Sequence, residues 1–323
     1  MKKYTVAIDL GGTTINMAVV KSPDTIAKKI VLSTKAFSSK DGIINAISDT
    51  VKKLMRELHL KKSDILGIGI GTPGLVDSQK GVIHYLVNIR GWKNVPLKRI
   101  LEKKTGLPTF LDNDVNLMTL GELYYGAGKG AQNIICLTLG TGVGGGIVVD
   151  GKIYRGSTLS AGEIGHVPLN EKGPKCNCGG SGCIERYVGN EAITRLAVNE
   201  VKRNRKSRIL KIAGGKLGDI TPETVTRAAR TGDPLAKEIW RRIAAHLGIG
   251  LSGIVNTLNP ETIIIGGGVA EAGKFLFDPL RDVIHSRAMR VPARAAKVLK
   301  ARLGRQAGLI GASVLVRIEK GEL

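Results

Sequence analysis

His166, Cys176, Cys178 and Cys183 stand in the pattern H-x9-C-x-C-x4-C, and three of the chain's four cysteines fall within the eight residues CNCGGSGC. A disulfide staple, a redox pair, a metal cage and coincidence are the alternatives for such a cluster. Three thiolates and one imidazole complete the tetrahedral shell of zinc, and Gly179, Gly180 and Gly182 let the backbone wrap tightly around an ion. A redox pair is more usually spaced C-x-x-C, which is absent here. Disulfides suit oxidising compartments, and the N-terminus reads as cytoplasmic. Cys136, inside IICLTL, reads instead as a buried strand residue. With all four positions filled by protein, the expectation is a structural zinc rather than one that activates water.

Carboxylates come next. In FLDNDVN, Asp112, Asn113 and Asp114 crowd the start of a predicted helix. One N-cap needs one residue, so two polar groups are left for chemistry. Glu163 and Glu185 flank the cysteine loop, three residues before His166 and two after Cys183. Each carboxylate accepts two hydrogen bonds, and a metal-pinned loop would fix both for gripping the vicinal hydroxyls of a sugar. Taken singly, either glutamate reads as a surface residue.

These groups need elements to hold them. Four glycine clusters follow apolar, β-branched runs: VAIDLGGTT, ILGIGIGTPG, IICLTLGTGVGGG and TIIIGGGVA. A glycine turn after a strand bares backbone N–H groups, and phosphate is their usual guest. Asp9-Leu10-Gly11-Gly12-Thr13, with Ala18 to Val20 after it, overlays Thr138-Leu139-Gly140-Thr141-Gly142 with Ile147 to Val149. A hairpin repeated about 130 residues apart predicts two related domains with facing phosphate loops. Ile43, Ile44, Ile47, Val51, Leu54, Met55 and Leu58 recur at helical spacing. Further helices are predicted over Asp114 to Tyr125, capped by Asp112 or Asn113, over Pro234 to Leu258, and over Ala307 to Ile318. Strands alternating with helices make an α/β fold, with no low-complexity linker between the halves.

Composition bounds the rest. At 323 residues the chain can hold two domains, and 42% hydrophobic residues with a mean hydropathy of +0.04 describe a globular protein. No window approaches the ~20 unbroken apolar residues of a spanning helix. The opening MKKYTVAIDLGG is a strand and a turn rather than a signal peptide, so a cytoplasmic protein without a membrane partner is expected. Forty-nine Lys and Arg against 27 Asp and Glu leave a net charge of +22, which attracts anions. The basic residues are spread through LKRILEKK, VKRNRKSR and RAAKVLKAR, which fits a solvated surface and names no specific nucleic acid.

In this order along the chain, DLGGTT, GTPGLVD, NIRGWKNVPL, DNDVN, LGTGVGGGIVVDGK, GEIGH, CNCGGSGCIE and NPETIIIGGGV resemble the motifs of the ROK family of sugar kinases. Val87 departs from the proline that the family often places before the asparagine of the NxxGW stretch. The resemblance implies two ribonuclease-H-like domains of the actin and hexokinase type around a central cleft. The first would span 1–120, completed by a C-terminal helix over 305–323. The second and larger, 121–304, would carry the zinc loop and the interface of a homodimer or tetramer.

Among family members the chain is most similar to bacterial glucokinases, which implies transfer of a phosphoryl group from ATP to glucose. Other family activities are another hexose acceptor (N-acetylglucosamine, N-acetylmannosamine, fructose or allose), a polyphosphate donor, or a sugar-sensing repressor. Only eight residues precede Asp9, leaving no room there for a helix-turn-helix. By the same resemblance, Asp114 is the general base. Gly74, Asn88, Asn113, Glu163, His166 and Glu185 join it in holding the sugar. Asp9, Gly11, Gly12, Thr13 and Thr14 form the first phosphate loop, and Gly140, Thr141, Gly142, Gly144 and Gly145 the second. Gly266, Gly267 and Gly268 lie beside the adenosine, and Mg²⁺ accompanies the ATP. His166 then serves both the zinc and the sugar.

Overall fold

The computed structural model describes residues 4–21, 24–86, 89 and 91–323. The chain divides into two units, one of residues 1–130, 152–161 and 302–323, the other of residues 131–151 and 162–301. The first contains strands β1 (Tyr4–Leu10), β2 (Thr14–Lys21), β3 (Thr25–Ser33), β4 (Ile65–Thr72), β5 (Leu75–Asp77), β6 (Val82–Tyr85), β7 (Lys93–Val95) and β8 (Thr109–Asn113). Its helices are α1 (Lys40–Glu57), α2 (Leu97–Thr105), α3 (Asp114–Tyr125) and the C-terminal α11 (Ala307–Glu319). The main sheet has the order β3-β2-β1-β4-β8, with β1 antiparallel to β2 and parallel to β4, and β4 parallel to β8. Strands β5 to β7 form a separate three-stranded sheet.

Helix α1 follows its sequence pattern: Ile43, Ile44, Ile47, Val51 and Leu54 are buried, and the Ser39 hydroxyl accepts from the Gly42 N–H at its start. The other face of the sheet is closed by backbone approach. Every residue of β4 is buried, and its glycines leave a bare track on which α11 lies. A Cβ at Gly69 would overlap the carbonyl of Ala312, and one at Gly67 would stand 3.2 Å from Val316 Cγ1. Helix α3 meets α11 in the same way, since a Cβ at Gly311 would overlap the Leu117 carbonyl oxygen.

The second unit holds β9 (Ile134–Leu139), β10 (Val143–Val149), β12 (Thr262–Gly266) and β13 (Lys297–Lys300); the two-residue β11 (Lys152–Ile153) is the edge strand of that sheet, though its residues fall in the 152–161 stretch of the first unit. The order is β11-β10-β9-β12-β13, with β9 antiparallel to β10 and parallel to β12. Its helices are α4 (Glu185–Val188), α5 (Asn190–Arg203), α6 (Arg208–Ile212), α7 (Pro222–Arg230), α8 (Pro234–Leu258), α9 (Lys274–Arg287) and α10 (Arg290–Ala295). Helix α8 buries Trp240, Ile243, Leu247 and Leu251 among the sheet residues Leu137 and Ile265 and the α9 residues Leu280 and Ile284. It ends where the left-handed Asn259 precedes a proline. Among the described residues, no helix is long and apolar enough to cross a membrane.

The repeated hairpin is one corner of a larger repeat, because both sheets are an antiparallel hairpin extended by two parallel strands. The copies differ at the turn. Leu10 pairs with Ile15 across four intervening residues, whereas Leu139 pairs with Val143 across three. The units also depart from the sequence-based limits. The first runs past residue 120 to Gly130 because α3 packs along α11, and it takes in Lys152–Ala161, so the second unit is not the larger.

Gly311→Ala is expected to destabilise the protein by about 2 kcal/mol, a fall in Tm of roughly 4–8 °C, because backbone has to move. Gly308→Ala, whose Cβ would meet only Asp9 Cγ at 3.9 Å, should melt near wild type. Equal melting temperatures for the two variants in calorimetry would remove the close approach as the reason for the glycine.

Candidate functional site

In the first unit the site begins where β8 turns into α3. Asn113 is the N-cap, its Oδ1 accepting from the Val115 N–H at 2.8 Å and the Asn116 N–H at 3.4 Å. Asp112 lies buried below it. Its Oδ1 accepts from the Asn113 N–H at 2.8 Å and Asn116 Nδ2 at 2.9 Å, while Oδ2 accepts from Arg155 Nε at 2.9 Å and Nη2 at 2.6 Å. Asp114 is the first residue of the helix and is partly exposed, with one oxygen 3.0 Å from the Val115 N–H. Asn113 Nδ2 points toward the Gly74 carbonyl at 3.5 Å. Gly74 has φ +92°, and a Cβ there would overlap the Tyr85 carbonyl, so only glycine fits that approach. Asn88, expected beside the sugar, lies outside the described residues.

The first glycine turn closes through Gly11 N–H to the Thr14 carbonyl at 2.9 Å and is braced by Thr34, whose hydroxyl donates to the Gly11 carbonyl at 2.8 Å. Thr13 and Thr14 are exposed on it. Asp9 sits just before the turn. Burial pushes its carboxyl above the usual range, opposed by the amide of Asn16 at 3.2 Å and by the charge of Lys29.

In the second unit His166, Cys176, Cys178 and Cys183 converge, with their ligand atoms all within 4.8 Å of one another. Cys178 and Cys183 sulfurs are 3.7 Å apart, and Cys176 Sγ is 3.6 Å from His166 Nδ1. A tetrahedron with Zn–S about 2.3 Å and Zn–N about 2.0–2.1 Å has edges of about 3.8 and 3.6 Å, so the set fits that ion. Burial and the neighbouring thiols push Cys183 up to about 12, while the Gly180 backbone and Cys176 lower Cys178. A bound cation would have to displace those protons. With Nδ1 turned to the sulfurs, His166 Nε2 faces Glu163 at 3.8 Å.

Glu185 starts α4 two residues after Cys183, and its Oε2 accepts from the Val143 N–H at 2.9 Å. A Cβ at Gly142 would stand 2.6 Å from that oxygen, so a side chain there would push the Glu185 carboxylate aside. The Gly140–Gly142 turn is also tied to α5, whose Asn190 N–H donates to the Gly140 carbonyl at 2.8 Å. Gly267, at φ +85°, lies against the Leu139 carbonyl at the foot of this turn, which gathers Gly266 to Gly268 beside it. Gly144 and Gly145 stand not in the turn but within β10. There Gly145 packs on the carbonyl of Gly162, seating the segment that carries Glu163 and His166.

Two residues of this network escaped the sequence. Arg155 had no motif to mark it. Asp112 read as a possible cap or a spare polar group at the helix start, and nothing in the sequence pointed to Arg155 as its partner.

The chain belongs to the ROK family, whose sequence pattern matches residues 5–319, and its fold is the two-domain actin and hexokinase type of that family. It is 40% identical to the glucokinase of Halalkalibacterium halodurans over 99% of this chain and 97% of that one, and 35% identical to the glucokinase of Thermotoga maritima over 97% and 96%. In three dimensions it is similar to a ROK family glucokinase from Streptomyces griseus in complex with glucose and AMPPNP. That likeness has a TM-score of 0.81 and 34% identity, covering 98% of this chain and 99% of the other.

The Asp9 environment sets a pH dependence. A carboxyl raised in the folded state contributes stability that is fully present below its unfolded pKa and lost as pH rises through the folded pKa. Asp9→Asn should therefore melt roughly 2 °C above wild type near neutral pH, with the difference closing as pH falls toward that of an ordinary carboxyl. A difference that stays constant across the acid range would mean that Asp9 is not the group responsible.

Proposed function

We propose that this chain is a glucokinase, transferring the γ-phosphoryl group of MgATP to the 6-hydroxyl of glucose with Asp114 as the base. The observation that carries the catalytic assignment is the contrast at the β8–α3 turn. Asp112 is buried, and its two oxygens accept four hydrogen bonds from protein. Asp114 stands on the accessible side of the same turn. Phosphoryl transfer asks mainly for positioning and charge neutralisation, and one aimed carboxylate suffices to take the proton from an attacking hydroxyl.

Around that base, Asn113 has its oxygen committed to the helix cap and its amide nitrogen left to donate to a hydroxyl. Glu163, the Nε2 edge of His166 and the free oxygen of Glu185 would take further hydroxyls. The Gly11–Thr14 and Gly140–Gly142 turns would receive the phosphates, with Gly266 to Gly268 beside the nucleoside. Asp9 would hold Mg²⁺, which offsets phosphate charge. Zinc at His166, Cys176, Cys178 and Cys183 would be structural, fixing the histidine ring and, through the adjoining residues, Glu185.

An assay of ADP release with glucose, N-acetylglucosamine, N-acetylmannosamine, fructose and allose, run with ATP and with polyphosphate, should show glucose and ATP preferred. Faster turnover of another hexose would overturn the substrate and keep the kinase. Asp114→Asn should lower kcat about a thousandfold without changing the fold, since an amide cannot accept the proton.

Cys178→Ala tests the metal. Elemental analysis should find about one zinc per wild-type chain and little in the variant, with glucose affinity falling roughly tenfold and ATP affinity changing far less. Full zinc occupancy in Cys178→Ala, or undisturbed glucose binding after metal loss, would sink the structural role.

A further inference from the structure

We propose that Arg155 is a positioning residue for phosphoryl transfer: it clamps Asp112, and through Asp112 it fixes the turn that presents Asp114. The inference rests on the reading of Asp114 as the base. Arg155 lies in the short segment 152–161 that joins the first unit between two stretches of the second. Its guanidinium delivers Nε and Nη2 to a single oxygen of Asp112, whose side chain is only 3% exposed. The other oxygen is taken by the Asn113 N–H and the Asn116 amide. Asp112 therefore cannot rotate without giving up bonds on both sides.

The consequences run along the chain. The Asn113 N–H bond fixes the peptide between residues 112 and 113, and Asn113 Oδ1 then caps the first turn of α3, where Asp114 sits. Without Arg155, a carboxylate this deeply buried would lack its charge partner and would have to turn toward water. That rotation releases the Asn113 N–H and loosens the turn. The rest of α3 does not depend on the pair, because its body is seated on α11 through Gly121 and Gly311. The effect of losing Arg155 should thus appear in the placement of Asp114 more than in the stability of the fold. A second bond, from the Ala161 N–H to the Arg155 carbonyl at 2.9 Å, closes the loop that leads directly into Gly162 and Glu163. Within the first unit, Arg155 is where the 152–161 segment is fastened to the β8–α3 turn.

The test is a double-mutant cycle on the full-length protein with Arg155→Ala, Asp112→Asn and the pair, joined by Arg155→Lys. Displacing a reacting group by ~1 Å costs roughly a hundredfold, so Arg155→Ala should lose about 30- to 100-fold in kcat with both KM values within about threefold. Added guanidinium ion should recover part of that loss. Arg155→Lys keeps the charge but cannot present two donors to one oxygen, and it should lose roughly tenfold while melting like wild type. The double variant should be about as slow as the slower single variant, because both remove one interaction.

A kcat within threefold of wild type in a folded Arg155→Ala or Arg155→Lys would overturn the proposal. So would additive losses in the cycle, or a rise in KM with kcat unchanged, which would make Arg155 a substrate contact. A wild-type protein that phosphorylates no hexose fails the Asp114 reading itself. An active one indifferent to Arg155 fails only the clamp.

Discussion

Close approach of one backbone to another, at positions where a side chain would intervene, is the constraint on which both units depend. Forty-three glycines in 323 residues would suggest flexible loops if they were scattered, but many stand at contacts. Gly69 and Gly311 let α11 lie on β4 and α3 without side chains between them. Gly145 does the same for the segment before His166, and Gly267 for the foot of the second turn. Each contact trades the packing of a side chain for the rigidity of main chain against main chain, and backbone atoms cannot change rotamer. The functional groups sit within about one helical turn of these contacts. Asp114 begins the helix that Gly311 seats, and Glu163 follows Gly162. Rigid placement is what a reaction limited by alignment needs.

The duplicated sheet explains why chemistry gathers at turns. In each copy a hairpin is followed by parallel strands, and the glycine turn stands at the end of the first strand. The copies have since diverged at that turn. Four residues separate Leu10 from Ile15, and three separate Leu139 from Val143. The shorter turn places the Val143 N–H where Glu185 can reach it, binding the hairpin to the cysteine loop. The longer one is braced instead by Thr34. The three-residue turn is thus supported from the segment after the cysteine loop, and the four-residue turn by Thr34.

Much of this was legible because it depends on local spacing. The helix over Asp114–Tyr125 and its Asn113 cap, the 25-residue helix ending at Asn259, and the four convergent ligands all follow from residue types a few positions apart. What escaped depends on distant partners. Arg155 is 43 residues from Asp112, and nothing near either residue announces the pair. Gly144 and Gly145 read as turn because they continue a glycine run, yet they are strand, and Gly145 is small to admit Gly162. The limit of the first unit was misplaced for the same reason. Helix α3 belongs to that unit through a contact with α11, nearly two hundred residues away in sequence.

The two units also hold their functional groups by different means, and composition says why. The β8–α3 turn of the first is underlain by apolar strands and a packed helix. The cysteine loop of the second has no such support. From Asn170 to Gly182 it reads NEKGPKCNCGGSG, with Pro174 and two cysteines as its only apolar side chains. Such a segment buries too little apolar surface to offset the entropy of ordering it. Its shape comes from local hydrogen bonds, among them Leu169 N–H to Gly182, Gly182 N–H to Pro174, Cys176 N–H to Gly180 and Gly179 N–H to Cys176, rather than from packed apolar side chains. Four ligands on one cation would supply the missing free energy, and they would do so at the base of Glu185 and on the ring of His166. The metal would therefore stand in for a hydrophobic core where the sequence provides none, which is why its removal should be felt at the sugar before it is felt at the nucleotide.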